Sequence, residues 1–246
     1  MTVRKPFPRT CRQFVNGSYS EGGKWRYITD TRFASSPQQY IRAFLLIQKD
    51  LLNLFDYVEP SDKNAECYSY RMHELLIRAC VEVEANCKAI LNDNGYVRRG
   101  DWNMEDYRKL NRTHRLSSYQ VKFPLWHGAK SVVSPFAPWA TGGCLAWYQA
   151  YNATKHDRHG EFETANFGNL VQAIAGLVAL LGAQFHTQDF SGIDYLIADG
   201  PADGFEPAIG SYFLIMHADD WPAADRYEFD WEALKSDPNA FQQLAF

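Results

Sequence analysis

Residues 69–92 read SYRMHELLIRACVEVEANCKAILN, and their spacing decides the fold class. Met72, Leu75, Leu76, Ala79, Cys80, Val83, Cys87, Ile90 and Leu91 recur at three- and four-residue steps, the period of one broad helix face. Ser69 stands where its hydroxyl can accept from the first free N–H groups, and Asn94-Gly95 supplies the stop. A stripe this wide is stable only when other elements cover it.

Those elements are expected to be helices. Ser36, as an N-cap with Pro37 at the first helical position, opens a segment to Tyr57 with Ile41, Phe44, Leu45, Leu51, Leu52 and Phe55 on its apolar side. Helical spacing resumes from Cys144 to about His159, and after Gly160 a last long helix is expected from about Glu161 to Phe185, with Glu161 and Glu163 at its positive end. Between Gly95 and Gly143 the pattern is mixed: a brief helix over Asn103 to Leu110, a strand-like Tyr119 to Phe123, and a Pro/Trp-rich stretch. Beyond residue 187, strands are expected at Tyr195 to Ala198 and Tyr212 to His217, with a short helix near Glu232. The chain thus reads as mainly α: an N-terminal extension (1–35), a four-helix bundle (36–186) with an elaborated crossover at about 95–143, and a small mixed α/β appendage (187–246) packed on the bundle.

A chain of 246 residues, 46% hydrophobic, can bury a full core. Its most apolar run, Leu170 to Phe185, carries Gln172 and Gln184 and falls short of the ~18 residues of a membrane span, so no membrane partner is expected. The start lacks an apolar signal segment, which points to the cytoplasm. The five cysteines show no C-x-x-C spacing, and Cys80 and Cys87 lie two helical turns apart, so all read as small hydrophobes. Charge divides the chain: residues 1–186 hold 23 Lys/Arg against 17 Asp/Glu, and residues 187–246 hold 2 against 12. The acidic end is either a solvated flank or a cover for a basic surface.

The densest chemistry lies at residues 147–160, WYQAYNATKHDRHG. Leu145, Tyr148, Asn152, His156 and His159 share one face, which turns from apolar to polar along its length. Lys155, His156, Arg158 and His159 suit a helix C-terminus, where cations complement the dipole, with Gly160 as the residue that ends it. Asn152 is a poor helix former and needs a partner or a ligand. His156 and His159 can share a metal, but no third ligand is fixed by spacing among Asp157, Glu161 and Glu163; no metal and no cofactor is expected. A second basic group, Arg98, Arg99, Arg108, Lys109, Arg112 and Arg115 with His114, Trp102 and Tyr107 among them, has the composition of a nucleic-acid contact or of a solvated loop. The aromatic set Trp126, Phe136, Trp139, Trp147 and Tyr148 reads as core or interface. Phosphate-loop, dinucleotide and Gly-x-Ser-x-Gly signatures are absent.

A long helix with the polar stripe Arg71, Glu74, Arg78, Glu82, a variable crossover, and Tyr-Asn-Ala-Thr-Lys-His near the end of a third helix followed by a fourth resembles the HEPN superfamily over about residues 37–186. Nucleases of that family carry Arg, four to six residues, then His, often with Asn directly after the Arg. Asn152 and His156 occupy the Asn and His places, and Tyr151 stands in the Arg place. The resemblance implies a homodimer and an RNA-binding or metal-independent endoribonuclease role in stress or phage defence. His156, Asn152, Arg158 and Lys155 would form the site, supported by Arg78, Glu82, Tyr151 and His159. Tyr151 leaves a second reading open, a non-catalytic bundle that holds a protein partner or a nucleotide-like ligand on the same surface.

Overall fold

The Ser69 hydroxyl accepts from the Met72 N–H at 3.2 Å and opens the long helix that its sequence spacing requires. The computed structural model describes residues 2–19, 21–188, 190 and 204–246. Among these the helices are α1 (Pro37–Phe55), α2 (Tyr70–Asp93), α3 (Met104–Arg108), α4 (Leu110–His114), α5 (Ala146–His156), α6 (Phe167–Phe185) and α7 (Trp231–Leu234). The strands are β1 (Gln120–Lys122), β2 (Val132–Val133), β3 (Glu206–Pro207) and β4 (Leu214–Met216). The protein is mainly α with one small antiparallel sheet, ordered β2-β1-β4-β3. The expected strand at Tyr195 to Ala198 lies outside the described residues.

Helix α6 is the centre. It packs along α2 and also touches α1 and α5, and almost every side chain on it is buried. By length and composition it could cross a membrane, yet 83% of its apolar window lies inside the protein. An element apolar all round is what the core of a bundle requires.

Several boundaries differ from the sequence expectation. Helix α6 begins at Phe167, because the Asn166 side chain accepts from the Asn169 N–H at 2.9 Å and caps it there. Glu161 and Glu163 therefore belong to a separate turn around Phe162–Thr164 and not to the first turn of α6. Helix α5 stops at His156, where Asp157 turns the chain by accepting from the Gly160 N–H at 2.9 Å. Arg158 and His159 thus lie beyond the helix. Ser36 occupies the cap position of α1 in the left-handed region, with φ 49°, and its hydroxyl makes no capping bond. The brief helix is real but broken: Asn103 and Asp106 form a reciprocal capping box for α3, and the chain is re-initiated as α4 at Leu110.

The segments read as an N-terminal extension and a C-terminal appendage are woven together. Val3 and Phe14 both bridge to Tyr227, whose hydroxyl donates to the Thr10 carbonyl at 2.8 Å and accepts from the Phe7 N–H at 3.1 Å. Phe14, Tyr27, Tyr227 and Phe229 pack edge-on or tilted around this junction. The crossover joins them through β1, which pairs with β4 in the register Val121 to Ile215. Acidic residues of the C-terminal part meet bases elsewhere: Asp237 with Lys5 at 2.9 Å, Glu228 with Arg4 at 3.2 Å, Asp220 with Arg115. Part of the acidic charge is thus spent on bases of the rest of the chain. Each exposed pair contributes little alone, so the packing of the two ends rests on the aromatic junction.

Trp126, Phe136, Trp139, Trp147 and Tyr148 are all buried within one chain. Of the two readings, core or interface, they are core. All five cysteines are unpaired.

One buried polar group sets an expected pH response. His114 is fully buried; its Nε2 donates to the Arg9 carbonyl at 3.0 Å, which leaves Nδ1 to accept from the Thr113 hydroxyl at 2.9 Å. Burial pushes this imidazole down to about 3, with the nearby Arg12 charge acting in the same direction and the bond to the Arg9 carbonyl opposing both. The unfolded imidazole takes up its proton near its ordinary value, so between the two values the unfolded state holds more protons and stability falls as pH falls. From pH 7 to pH 5 this group removes about 2 kcal/mol. Urea midpoints at the two pH values should therefore separate less for His114→Gln than for the wild type; equal separations would mean that His114 is not the group responsible.

Candidate functional site at the end of helix α5

Helix α5 packs on α2 and α6, and one of its faces turns polar along its length. Leu145 and Tyr148 are buried, Asn152 is half-buried one turn on, and His156 is exposed. Tyr148 donates to the Glu84 carboxylate of α2 at 2.8 Å, and burial pushes its phenol well up, with Glu84 adding to the effect. Tyr151, at the Arg place of the family pattern, is only 2% exposed and lies against α2, its phenol likewise raised by burial and then by Glu84. Its hydroxyl accepts from Lys155 Nζ at 3.3 Å. The carboxylate facing this part of α5 is therefore Glu84, not Glu74 or Glu82.

The start of α2 supplies the other wall. The Arg158 guanidinium lies 5.8 Å from the centre of the Tyr70 ring, and Phe162 packs on Tyr70, Tyr68 and His73 at 4.7, 5.7 and 5.7 Å. Tyr68 and Tyr70 remain 51% and 62% exposed. His73 was not singled out by the sequence reading. Its Nε2 is buried without a hydrogen-bond partner, and burial, then the Arg158 charge, hold the imidazole below its ordinary value against the opposing Glu74. Its position one turn after Tyr70 is visible in the sequence; its approach to Phe162 and Arg158 is a tertiary fact.

The remaining sequence candidates separate into paired and unpaired charges. Arg78 pairs with Asp50 across α1 and α2. Glu82 is half-buried on α2, and its carboxyl is raised by burial, with Arg78 opposing. In the second basic group, Arg98 pairs with Asp106 at 3.2 Å, Arg108 with Glu105, and Arg115 with Asp220. Arg112 donates to the Ala245 carbonyl at 2.7 Å, Lys109 sits 5.5 Å from the Tyr96 ring centre, and Arg99 is exposed. Tyr107 is buried and stacks on Trp102, so it offers no open face to a base. This group is largely committed to internal contacts.

The end of α5 differs. Lys155, His156, Arg158 and His159 are all exposed, and among the described residues none of them forms an ion pair with a carboxylate.

No protein-family model matches the chain, and no curated protein or solved structure matches it either.

His156 and His159 do not belong to any cluster of metal-type donors among the described residues. One such cluster forms elsewhere, from His186, Glu206 and His217, which lie on three different elements and share no short motif. The register of β3 and β4 brings two of them together, and only the structure reveals it.

Proposed function

We propose that this chain is a HEPN-like bundle, formed by α1, α2, α5 and α6, that binds RNA at the end of α5 and cleaves it without a metal. The observation that supports this reading is the exposed set Lys155, His156, Arg158 and His159, without an ion pair to a carboxylate among the described residues, beside the exposed rings of Tyr68 and Tyr70. Exposed cations that no carboxylate neutralises are available to phosphates, and aromatic faces stack on bases. His156 takes the proton of a ribose 2′-hydroxyl; the 2′-oxygen attacks the adjacent phosphorus, the bond to the 5′-oxygen breaks, and that oxygen leaves with a proton from the imidazolium. Lys155 and Arg158 face the phosphorane charge, and Asn152 orients it as a hydrogen-bond donor. Tyr151 supports a second reading, a non-catalytic module: its buried phenol engages Lys155 where the family places an Arg.

Fluorescence anisotropy with a labelled single-stranded RNA, together with a cleavage assay, tests both. With two or three phosphate contacts, affinity should fall about seven- to twentyfold between 50 and 200 mM salt. His156→Ala should slow cleavage about a hundredfold or more and leave binding nearly intact. Binding without cleavage in the wild type assigns the non-catalytic reading. A flat salt response, or cleavage that survives His156→Ala, removes the proposal. Light scattering of the same preparation decides the homodimer that the bundle reading carries.

A further inference from the structure

The opposite end of the protein holds a cluster that the RNA reading does not use. In the β3–β4 pairing Glu206 lies directly across from Ile215, so the two side chains share a face; His217, two residues beyond Ile215, points the same way. That face looks at the end of α6, where Gly182 admits it: a Cβ at Gly182 would meet Ile215 Cδ1 at 2.6 Å. Directly after α6, His186 adopts φ 55° and ψ −120°, which turns its ring back toward the strands. The result is two imidazoles stacked at 4.5 Å, with Glu206 Oε1 at 2.8 Å from His217 Nδ1 and 3.5 Å from His186 Nε2.

The cluster is poorly satisfied by protein groups alone. The His217 side chain is 4% exposed; its Nε2 has no hydrogen-bond partner, and the one polar group close to its Nδ1 is the Glu206 carboxylate at 2.8 Å. A buried imidazole with an unpartnered nitrogen costs free energy unless something else satisfies it. His186 is different: its Nδ1 lies 3.2 Å from the Thr187 hydroxyl, which fixes the ring and leaves Nε2 aimed at Glu206. That is the arrangement of a metal-binding histidine whose outer nitrogen is held by a neighbour. Tyr19 packs over both rings at 5.2 Å and is itself anchored, donating to the Ala218 carbonyl and accepting from Trp221 Nε1.

We propose that His186, Glu206 and His217 form a three-donor site for a divalent transition-metal ion of the zinc class. Two imidazole nitrogens and one carboxylate suit zinc, iron or cobalt, whereas magnesium and calcium prefer all-oxygen shells. The donor atoms lie within 4.8 Å of one another. Bonds of about 2.0–2.1 Å hold donors roughly 3–3.5 Å apart, so small ring rotations close the shell. Glu206 is 45% exposed, so the open side of the shell is reached from solvent. The ion would join the end of α6 to both strands of the C-terminal hairpin.

The test uses the full chain, dialysed against chelator and titrated with zinc and, separately, cobalt(II) by calorimetry, with thermal melts in parallel. One zinc per chain should bind with Kd of about 1 μM or tighter and raise the melting midpoint. Glu206→Gln, at a half-exposed position, and His186→Asn, a residue that tolerates positive φ, should each weaken binding about tenfold or more while keeping the wild-type circular dichroism. His156→Ala with His159→Ala should leave zinc affinity and the zinc-induced rise in melting midpoint unchanged. Absence of zinc and cobalt binding at about 100 μM metal, binding unchanged by both site variants, or binding lost with the His156/His159 pair would each overturn the proposal.

Discussion

Replacing Arg9 with alanine is expected to destabilise the protein by about 3–5 kcal/mol, read as a lower urea midpoint at unchanged slope. The side chain is completely buried, and its guanidinium is spread over three elements. Nε pairs with Asp93 at the end of α2, Nη1 donates to Gln184 Oε1 on α6 at 3.2 Å, and Nη2 donates to the Ser35 carbonyl before α1 at 2.7 Å. The plane also lies 4.6 Å from the Tyr40 ring centre. Alanine leaves the Gln184 oxygen and the Ser35 carbonyl without that donor and opens a void the size of the lost side chain. Asp93 is 28% exposed and can rehydrate, which holds the cost within that range. Arg9→Lys should recover only part of the loss, since an ammonium on a flexible stem does not reproduce the planar fork. A cost below about 1 kcal/mol for Arg9→Ala would mean that the guanidinium reaches water in solution.

Phe167→Ala carries the other large effect, about 3–5 kcal/mol. Phe167 is fully buried at the start of α6, stacks on Trp126 of the crossover at 5.4 Å, and meets Phe55 of α1 edge-on at 5.9 Å. It is where the crossover, α1 and α6 meet. Truncation removes both ring contacts and leaves a cavity between elements that cannot all close on it. Trp126 fluorescence should shift as its stacked face is exposed. Phe167→Leu keeps most of the volume and should cost well under half as much; equal losses for the two variants would place the effect in the ring itself and not in the cavity.

What the sequence revealed and what it concealed divides along locality. Helix α2 is legible because its cap and its apolar stripe are both properties of neighbouring residues. The start of α6 was misplaced because Glu161 and Glu163 suit a positive helix end, while Asn166 makes the bond that decides it. The strand-like runs around Val121 and Ile215 were visible, but their partnership was not, since nothing local says that β1 pairs with β4. The same limit applies to charge. Composition marks two basic groups as equals, and only tertiary pairing shows that Arg98, Arg108 and Arg115 have carboxylate partners whereas Lys155 and Arg158 do not. His186, Glu206 and His217 needed a helix end, a strand register and a glycine contact before they became neighbours.

The junction at Tyr227 has a consequence for how the molecule is made. Synthesis delivers Phe14 and Tyr27 early, yet Tyr227 and Phe229, the rings that cover them, emerge near the end of translation. Helices α1, α2, α5 and α6 can associate while the chain is still growing, because all four are complete by Phe185. The opening strap cannot. A nascent chain that ends before Arg226 leaves the Phe14 and Tyr27 rings without the two that cover them, exposed apolar surface of the kind that makes partly folded chains prone to aggregate.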